Sequence, residues 1–83
     1  MEREIIYKVI SENINIDILT IREDSRFLED FGMDEIDFKR LIIILEEKFL
    51  KICSEDDIKK IKTVADLVNV FSWYNQIYLY LYI

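Results

Sequence analysis

The sequence has no histidine and no proline, and its 83 residues include a single glycine, Gly32, and a single cysteine, Cys53. Without histidine the chain lacks the commonest general base and the commonest metal ligand. One cysteine can form neither an internal disulfide nor a multi-thiolate zinc site. A small all-β domain needs many Gly- or Pro-based turns, so this composition favours helices. We therefore expect an all-α protein in the reducing cytoplasm, with no metal site.

Positive charge is also scarce, since 17 acidic residues face 11 basic ones and give a formal net charge of −6. A nucleic-acid binder needs clustered Lys and Arg to contact phosphates, so we expect no nucleic-acid partner. The hydrophobic fraction of 52% is ample for a packed core, although the chain is too short for two. Charges interrupt the apolar positions of residues 1–15, which is unlike a signal peptide.

Apolar spacing and N-terminal capping residues predict four helices. The first spans residues 3–13, and the second spans residues 35–50 after Asp34 as the N-cap. A short third helix follows Ser54, and the fourth follows Thr63. The expected core faces are Ile6, Val9 and Ile10 in the first helix, Ile36, Leu41, Ile44, Leu45 and Phe49 in the second, and Val64, Leu67, Val68 and Phe71 in the fourth.

The segment between the first two helices is predicted to be a long loop. Residues 13–21 alternate as a strand would, but no second alternating run lies nearby to pair with them. We expect this stretch to pack its isoleucines (Ile14, Ile16 and Ile18) onto the helical core. Further apolar anchors are expected at Phe27, Leu28 and Phe31, and Gly32 offers a residue that can adopt positive φ before the second helix.

Several spaced motifs in residues 26–71 agree with a known family in order and register. The matching residues are Phe27, Asp30, Phe31, Gly32 and Asp34, then Leu45, Glu46, Glu47 and Phe49, then Thr63 and Val64. On these residues the chain resembles the acyl carrier proteins over roughly residues 3–74. The resemblance implies a four-helix bundle with a long first loop and a short third helix. It also implies a carrier, not an enzyme, that holds acyl groups as thioesters on 4′-phosphopantetheine in fatty-acid or polyketide biosynthesis.

One position departs from the family pattern. The serine that receives the phosphopantetheine in the family would follow Asp34, and this sequence has Glu35 there. A carboxylate joined to the phosphate would be a mixed anhydride, which hydrolyses readily, so we expect no bound cofactor. Three interpretations of Glu35 stay open: a position that drifted after the site was lost, a fixed charge that imitates the phosphodiester, or an engineered or atypical residue in a working carrier.

The resemblance also implies that the second helix contacts partner proteins. The candidate partner-binding residues are Asp34, Asp37, Lys39, Arg40, Ile43, Glu46 and Glu47. Lys39, Arg40 and Lys48 stand where apolar or acidic residues are common in the family, so attraction to a basic partner should be weakened. We therefore predict a module that lacks the attachment serine and acts by protein–protein interaction, with a true acyl carrier as the alternative.

The C-terminal end has an unusual composition, because no charged side chain follows Asp66. We divide the chain into a carrier-like domain, residues 1–74, and an apolar aromatic tail, residues 75–83. The uncharged run is short for a membrane span and contains polar amides, which argues against a span. The tail fits either a helix or a strand. It would pack back on its own bundle or form a surface for a partner or for self-association, the latter through Tyr78, Leu79, Tyr80, Leu81 and Tyr82.

Overall fold

The computed structural model describes residues 2–72, and these form a helical domain. Helix α1 spans Glu2–Ile14, and a short 3₁₀ turn follows at Ile18–Thr20. Helix α2 spans Glu35–Phe49 and α3 spans Glu55–Lys60. Helix α4 begins at residue 64 and continues through residue 72, the last residue that the structure describes. The predicted all-α fold with a long first loop and a short third helix is confirmed.

The starts of α2 and α3 follow from their capping residues. The Asp37 N–H donates to Asp34 Oδ1 at 2.8 Å, and the Asp57 N–H donates to Ser54 Oγ at 3.1 Å. Each bond satisfies one of the backbone donors that a helix leaves unpaired in its first turn. Asp34 and Ser54 are therefore the N-caps that the sequence predicted.

Helix α4 begins with a reciprocal pair of hydrogen bonds. The Asp66 N–H donates to Thr63 Oγ1 at 3.2 Å, and the Thr63 N–H donates back to Asp66 Oδ2 at 3.1 Å. The same carboxylate oxygen accepts the Lys62 N–H at 3.0 Å. This is a capping box with aspartate in place of the usual glutamate, and it sets the first turn of α4.

The core lies among α1, α2 and α4. Phe49 at the end of α2 packs against Phe71 of α4, with ring centroids 5.3 Å apart and ring planes tilted by 36°. The side chains that are least accessible to solvent are Ile6, Val9, Ile10, Leu41, Ile42, Leu45, Val64, Leu67 and Phe71. The predicted core faces of α1 and α4 are thus confirmed, with Val68 packed against the core but only partly buried.

The long first loop is tied to the start of α4 by backbone hydrogen bonds. The Phe27 N–H donates to the Lys62 carbonyl at 3.2 Å, and the Val64 N–H donates to the Ser25 carbonyl at 3.0 Å. Ile21 and Phe27 are buried there. Ile14, the last residue of α1, and Ile16 pack against the core as predicted, whereas Ile18 is 39% exposed.

Ile36 and Leu28 were predicted to be core residues but lie on the surface, and Ile42 is buried although it was not predicted to be. Ile36 is 68% exposed and Leu28 is 66% exposed, whereas Ile42 is buried. Ile36 and Leu45 are nine residues apart, which is two and a half helical turns, so they lie on opposite sides of α2. Leu41, Ile42 and Leu45 set the inward face. Among the apolar anchors expected in the first loop, Phe27 is only 4% exposed, as predicted, whereas Leu28 faces solvent.

Within residues 2–72, no helix is long and apolar enough to cross a bilayer. The predicted tail, residues 75–83, and its candidate self-association residues lie outside the described part of the chain.

Candidate functional site

Residue 35 stands at the junction between the first loop and α2. Gly32, with φ of +64°, turns the chain two residues before the N-cap Asp34, and Glu35 is then the first helical residue. Its side chain is 80% exposed. A side chain in this position projects from the positive end of the helix dipole, where a negative charge is favourable.

The Glu35 carboxylate is paired on its own helix. Its Oε1 lies 3.1 Å from Nζ of Lys39, one turn further along α2. Both side chains are more than half exposed, so the pair contributes only about 0.3–0.5 kcal/mol to the helix. Lys39 nevertheless offsets the charge of Glu35 locally, which weakens the interpretation of Glu35 as an isolated negative charge that imitates a phosphodiester.

An open apolar cavity of about 400 Å³ lies beside Glu35. Phe27 and Phe38 pack against each other in its wall, with ring centroids 5.1 Å apart. The other apolar residues of the wall are Leu28, Met33 and Ile61, and the charged residues at its edge are Arg26, Glu29, Asp34, Glu35 and Lys62. The cavity can take up an apolar group that enters next to residue 35.

The candidate partner residues of α2 divide into two groups. Asp37, Lys39, Arg40 and Glu47 are exposed, as is the N-cap Asp34, and Ile43 is 54% exposed. Ile36 lies seven residues before Ile43, hence on the same side of α2. These two isoleucines therefore form an exposed apolar stripe among charges of both signs. Sequence reasoning missed the stripe because it assigned Ile36 to the core.

Glu46 differs from the other candidates because its carboxylate has a structural partner. Its Oε2 accepts the backbone N–H of Cys53 at 2.7 Å, and the residue is half-buried. This bond ties the end of α2 to the turn before α3. The bond joins residues seven positions apart across that turn, so no local sequence pattern predicts it.

Ser11, Ser25 and Cys53 are other potential nucleophiles of the described residues. Ser11 Oγ donates to the Ile16 carbonyl, and Ser25 Oγ accepts the Arg22 N–H at 3.0 Å. Cys53 is buried, and burial, followed by the charges of Glu46 and Asp57, raises the pKa of its thiol to about 11. A thiol with so high a pKa carries little thiolate at neutral pH and is a poor nucleophile.

Metal binding gains no support from residues 2–72, where no cluster of three or more His, Cys, Asp or Glu side chains could hold an ion. The acidic residues Glu55, Asp56 and Asp57 form the first turn of α3, where negative charge stabilises the helix.

Comparison with known proteins agrees with this fold. Residues 4–71 match the family described as the phosphopantetheine attachment site. The acyl carrier protein of Wolinella succinogenes is 38% identical over 63 residues, which cover 76% of this chain and 83% of that protein. The acyl carrier protein of Helicobacter hepaticus is 37% identical over 65 residues, covering 78% and 86% of the two chains.

A solved structure from Mycobacterium tuberculosis, assigned as an acyl carrier protein, superposes with a TM-score of 0.80 at 30% sequence identity. The match covers 88% of this chain and 99% of that one. These findings define a small helical carrier-type domain. The chain belongs to the acyl carrier protein family.

Proposed function

We propose that this chain is an acyl-carrier-like module that lacks the phosphopantetheine attachment serine and acts through protein–protein contacts of α2. The observation that carries the proposal is Glu35, which is the first residue of α2 directly after the N-cap Asp34. In the family pattern that the sequence resembles, the attachment serine takes this place.

The chemistry of residue 35 argues against a stable prosthetic group. A serine hydroxyl forms a phosphodiester that persists in water, whereas a carboxylate would form an acyl phosphate anhydride. The hydroxyls of Ser54 and Thr63 do not offer a substitute, because each accepts a backbone N–H at the start of another helix.

The exposed face of α2 supports a role in protein contacts. Ile36 and Ile43 present apolar surface, while Asp37 and Glu47 add negative charge and Arg40 adds positive charge. A partner that fits this face has an apolar groove edged by charges of both signs, because a uniformly basic surface would meet Arg40 as a like charge. Members of this family carry acyl groups and do not themselves catalyse a reaction. A member that loses its phosphopantetheine arm therefore has no catalytic activity left to keep.

The alternative is a working acyl carrier in which Glu35 is an engineered or atypical residue. The cavity beside residue 35 favours this alternative, since it offers apolar shelter next to the expected attachment point. One experiment tests whether the chain accepts the arm in spite of Glu35, and a Ser codon at position 35 of the source gene would reveal an engineered Glu35.

The test incubates the full chain with a broad-specificity phosphopantetheinyl transferase and coenzyme A and measures intact mass. Glu35→Ser, treated in parallel, is the matched positive control, because it restores the hydroxyl at an exposed position without disturbing the core. We expect no added mass on the wild-type chain and one phosphopantetheine group on Glu35→Ser. A wild-type chain that gains the group would overturn the proposal and establish the carrier function.

A further inference from the structure

A side-chain contact spans the turn between α2 and α3. The half-buried Glu46 accepts the Cys53 N–H at 2.7 Å through its Oε2, whereas its neighbour Glu47 is exposed. A carboxylate that accepts a backbone N–H makes a charge-assisted hydrogen bond, which is stronger than one between neutral groups. Cys53 is buried at this turn, so the bond holds the entry of α3 against the end of α2.

The backbone of the same turn is strained. Leu50, the C-cap of α2, has φ of 55° and ψ of 45°, in the left-handed region that glycine usually occupies after a helix. Its side chain is 69% exposed, so burial of the leucine does little to offset the strain. A non-glycine residue persists in this region only where surrounding contacts hold it, and such residues cluster at elements that switch. The bond between Glu46 and Cys53 is a contact of this kind, just beyond Leu50.

Helix α3 itself is weakly held. It has six residues and no buried side chain, and Ile58 is packed only partly against the core. A helix as short as this is not stable without tertiary contacts. Its packing on α2 is also incomplete, because an open cleft of about 180 Å³ lies between the two helices, lined in part by Ile42, Ile43 and Ile58.

The two ends of α3 are attached differently. Directly after α3, Ile61 is buried and the Lys62 carbonyl accepts the Phe27 N–H at 3.2 Å, which joins the exit of the helix to the first loop. Before α3, the entry is attached by the burial of Cys53 and by its bond to Glu46. The exit is therefore fixed by the backbone, whereas the entry depends on a side chain that can rotate away.

We propose that α3 is a flap that opens from its entry end and that Glu46 is the latch that holds it closed. Opening exposes Cys53 while α1, α2 and α4 stay folded. It also uncovers Ile42, which adds to the apolar surface that α2 presents. The proposal concerns a different part of the molecule from residue 35 and holds whether or not the chain carries an arm.

Cys53, the one cysteine in the chain, reports on opening. Glu46→Met removes both the acceptor and the charge at a similar side-chain length, and Glu46→Gln removes the same charge but keeps an acceptor oxygen. A difference between these two variants therefore reports on the hydrogen bond and not on the charge near the thiol. Glu47→Met is the control at the exposed neighbour. The readouts, all on the full chain, are hydrogen exchange of the Cys53 N–H and the rate at which a small disulfide reagent modifies the thiol.

We expect the Cys53 N–H of Glu46→Met to exchange at least about tenfold faster than that of the wild type, because a hydrogen bond to a charged group is lost. Glu46→Gln should fall between the two, and Glu47→Met should match the wild type. Thiol modification should be faster in Glu46→Met than in Glu46→Gln. In Glu46→Met its rate should hardly change at low urea concentration, because local opening exposes little surface.

Two results would overturn the proposal. If both Glu46 variants exchange and react at the same rate, or at the rate of the wild type, the bond does not control opening. If thiol modification in Glu46→Met rises with urea as steeply as global unfolding does, Cys53 is exposed only when the whole domain unfolds. If circular dichroism shows that Glu46→Met has lost its helices, Glu46→Gln is compared with Glu47→Gln by hydrogen exchange, and the first should exchange faster at Cys53.

Discussion

Individual carboxylates in this domain have different structural roles, although the sequence shows them only as an excess of acidic over basic residues. Glu46 and Asp66 accept backbone N–H groups and so hold turns in place. Glu35 is exposed and, among residues 2–72, is paired only with Lys39. Removing a carboxylate of the first kind leaves a backbone donor without its partner. Removing an exposed carboxylate such as Glu35 leaves no backbone donor unpaired, because water takes its place.

Asp66 provides the test of this distinction by its pH dependence. Hydrogen bonds from the backbone N–H of Lys62, above all, and from Thr63 hold the pKa of Asp66 below the ordinary value of 3.8. At neutral pH we expect Asp66→Asn to lower the free energy of unfolding by about 1–2 kcal/mol, because a hydrogen-bonded charge is lost.

The sign of the pH effect follows from linkage. The stabilisation by Asp66 is fully present above 3.8, the ordinary pKa that applies in the unfolded chain, and is lost as pH falls through the lower folded value. The difference between the wild type and Asp66→Asn, measured by urea unfolding, should therefore shrink as pH falls below 3.8. Asp24→Asn, in the exposed loop, is the control variant. A difference that stays constant down to acid pH would contradict this account.

At the scale of the helices, the sequence predicts where each helix begins more reliably than which side of it is buried. Asp34, Ser54 and Thr63 cap their helices as expected because a cap depends on residues only three positions apart. The buried face depends on where other helices pack, and α2 has apolar residues on both sides. Ile36 was therefore assigned to the core although it faces solvent, and Ile42 was overlooked although it is buried.

The stripe formed by Ile36 and Ile43 leads to a prediction about partner binding. Changing both residues to aspartate should abolish capture of a specific partner from a lysate of the source cells, read by quantitative mass spectrometry. Because both side chains are exposed, the free energy of unfolding should change by no more than about 0.5 kcal/mol.

Leu19→Asp provides the control for that measurement, since it places the same charge at an exposed aliphatic position away from α2. The control should capture the same proteins as the wild type. If all three proteins retain the same set, α2 does not provide the contact surface.

At the scale of the whole molecule, the family and the all-α architecture were predictable, because both rest on motifs spread along the chain. The path of the first loop was not predictable, since backbone hydrogen bonds join residue 25 of the loop to residue 64 and residue 27 to residue 62. Such pairings depend on the assembled fold. The site was predictable in the identity of residue 35 and in its place at the start of α2. Its ion pair with Lys39 lies within α2 and follows from the four-residue spacing, whereas the adjoining cavity forms only once the helices are assembled.

The cohesion of the domain should therefore depend on the residues that join separate helices. Phe71 is fully buried and its ring packs against that of Phe49, so it joins α4 to the end of α2. Phe71→Ala should lower the free energy of unfolding by about 3–5 kcal/mol, because it removes a buried ring and leaves a cavity. A domain of this size has a total stability of only about 5–15 kcal/mol, so the midpoint of urea unfolding should shift to a much lower concentration.

Phe71→Leu, which keeps most of the volume, should lose less stability than Phe71→Ala, and Leu19→Ala should change stability by no more than about 0.5 kcal/mol. If Phe71→Ala lowers the free energy of unfolding by less than about 1 kcal/mol, α4 is held mainly by Val64 and Leu67, which are equally buried. The end of the bundle where α2 and α4 meet would then open independently of the rest.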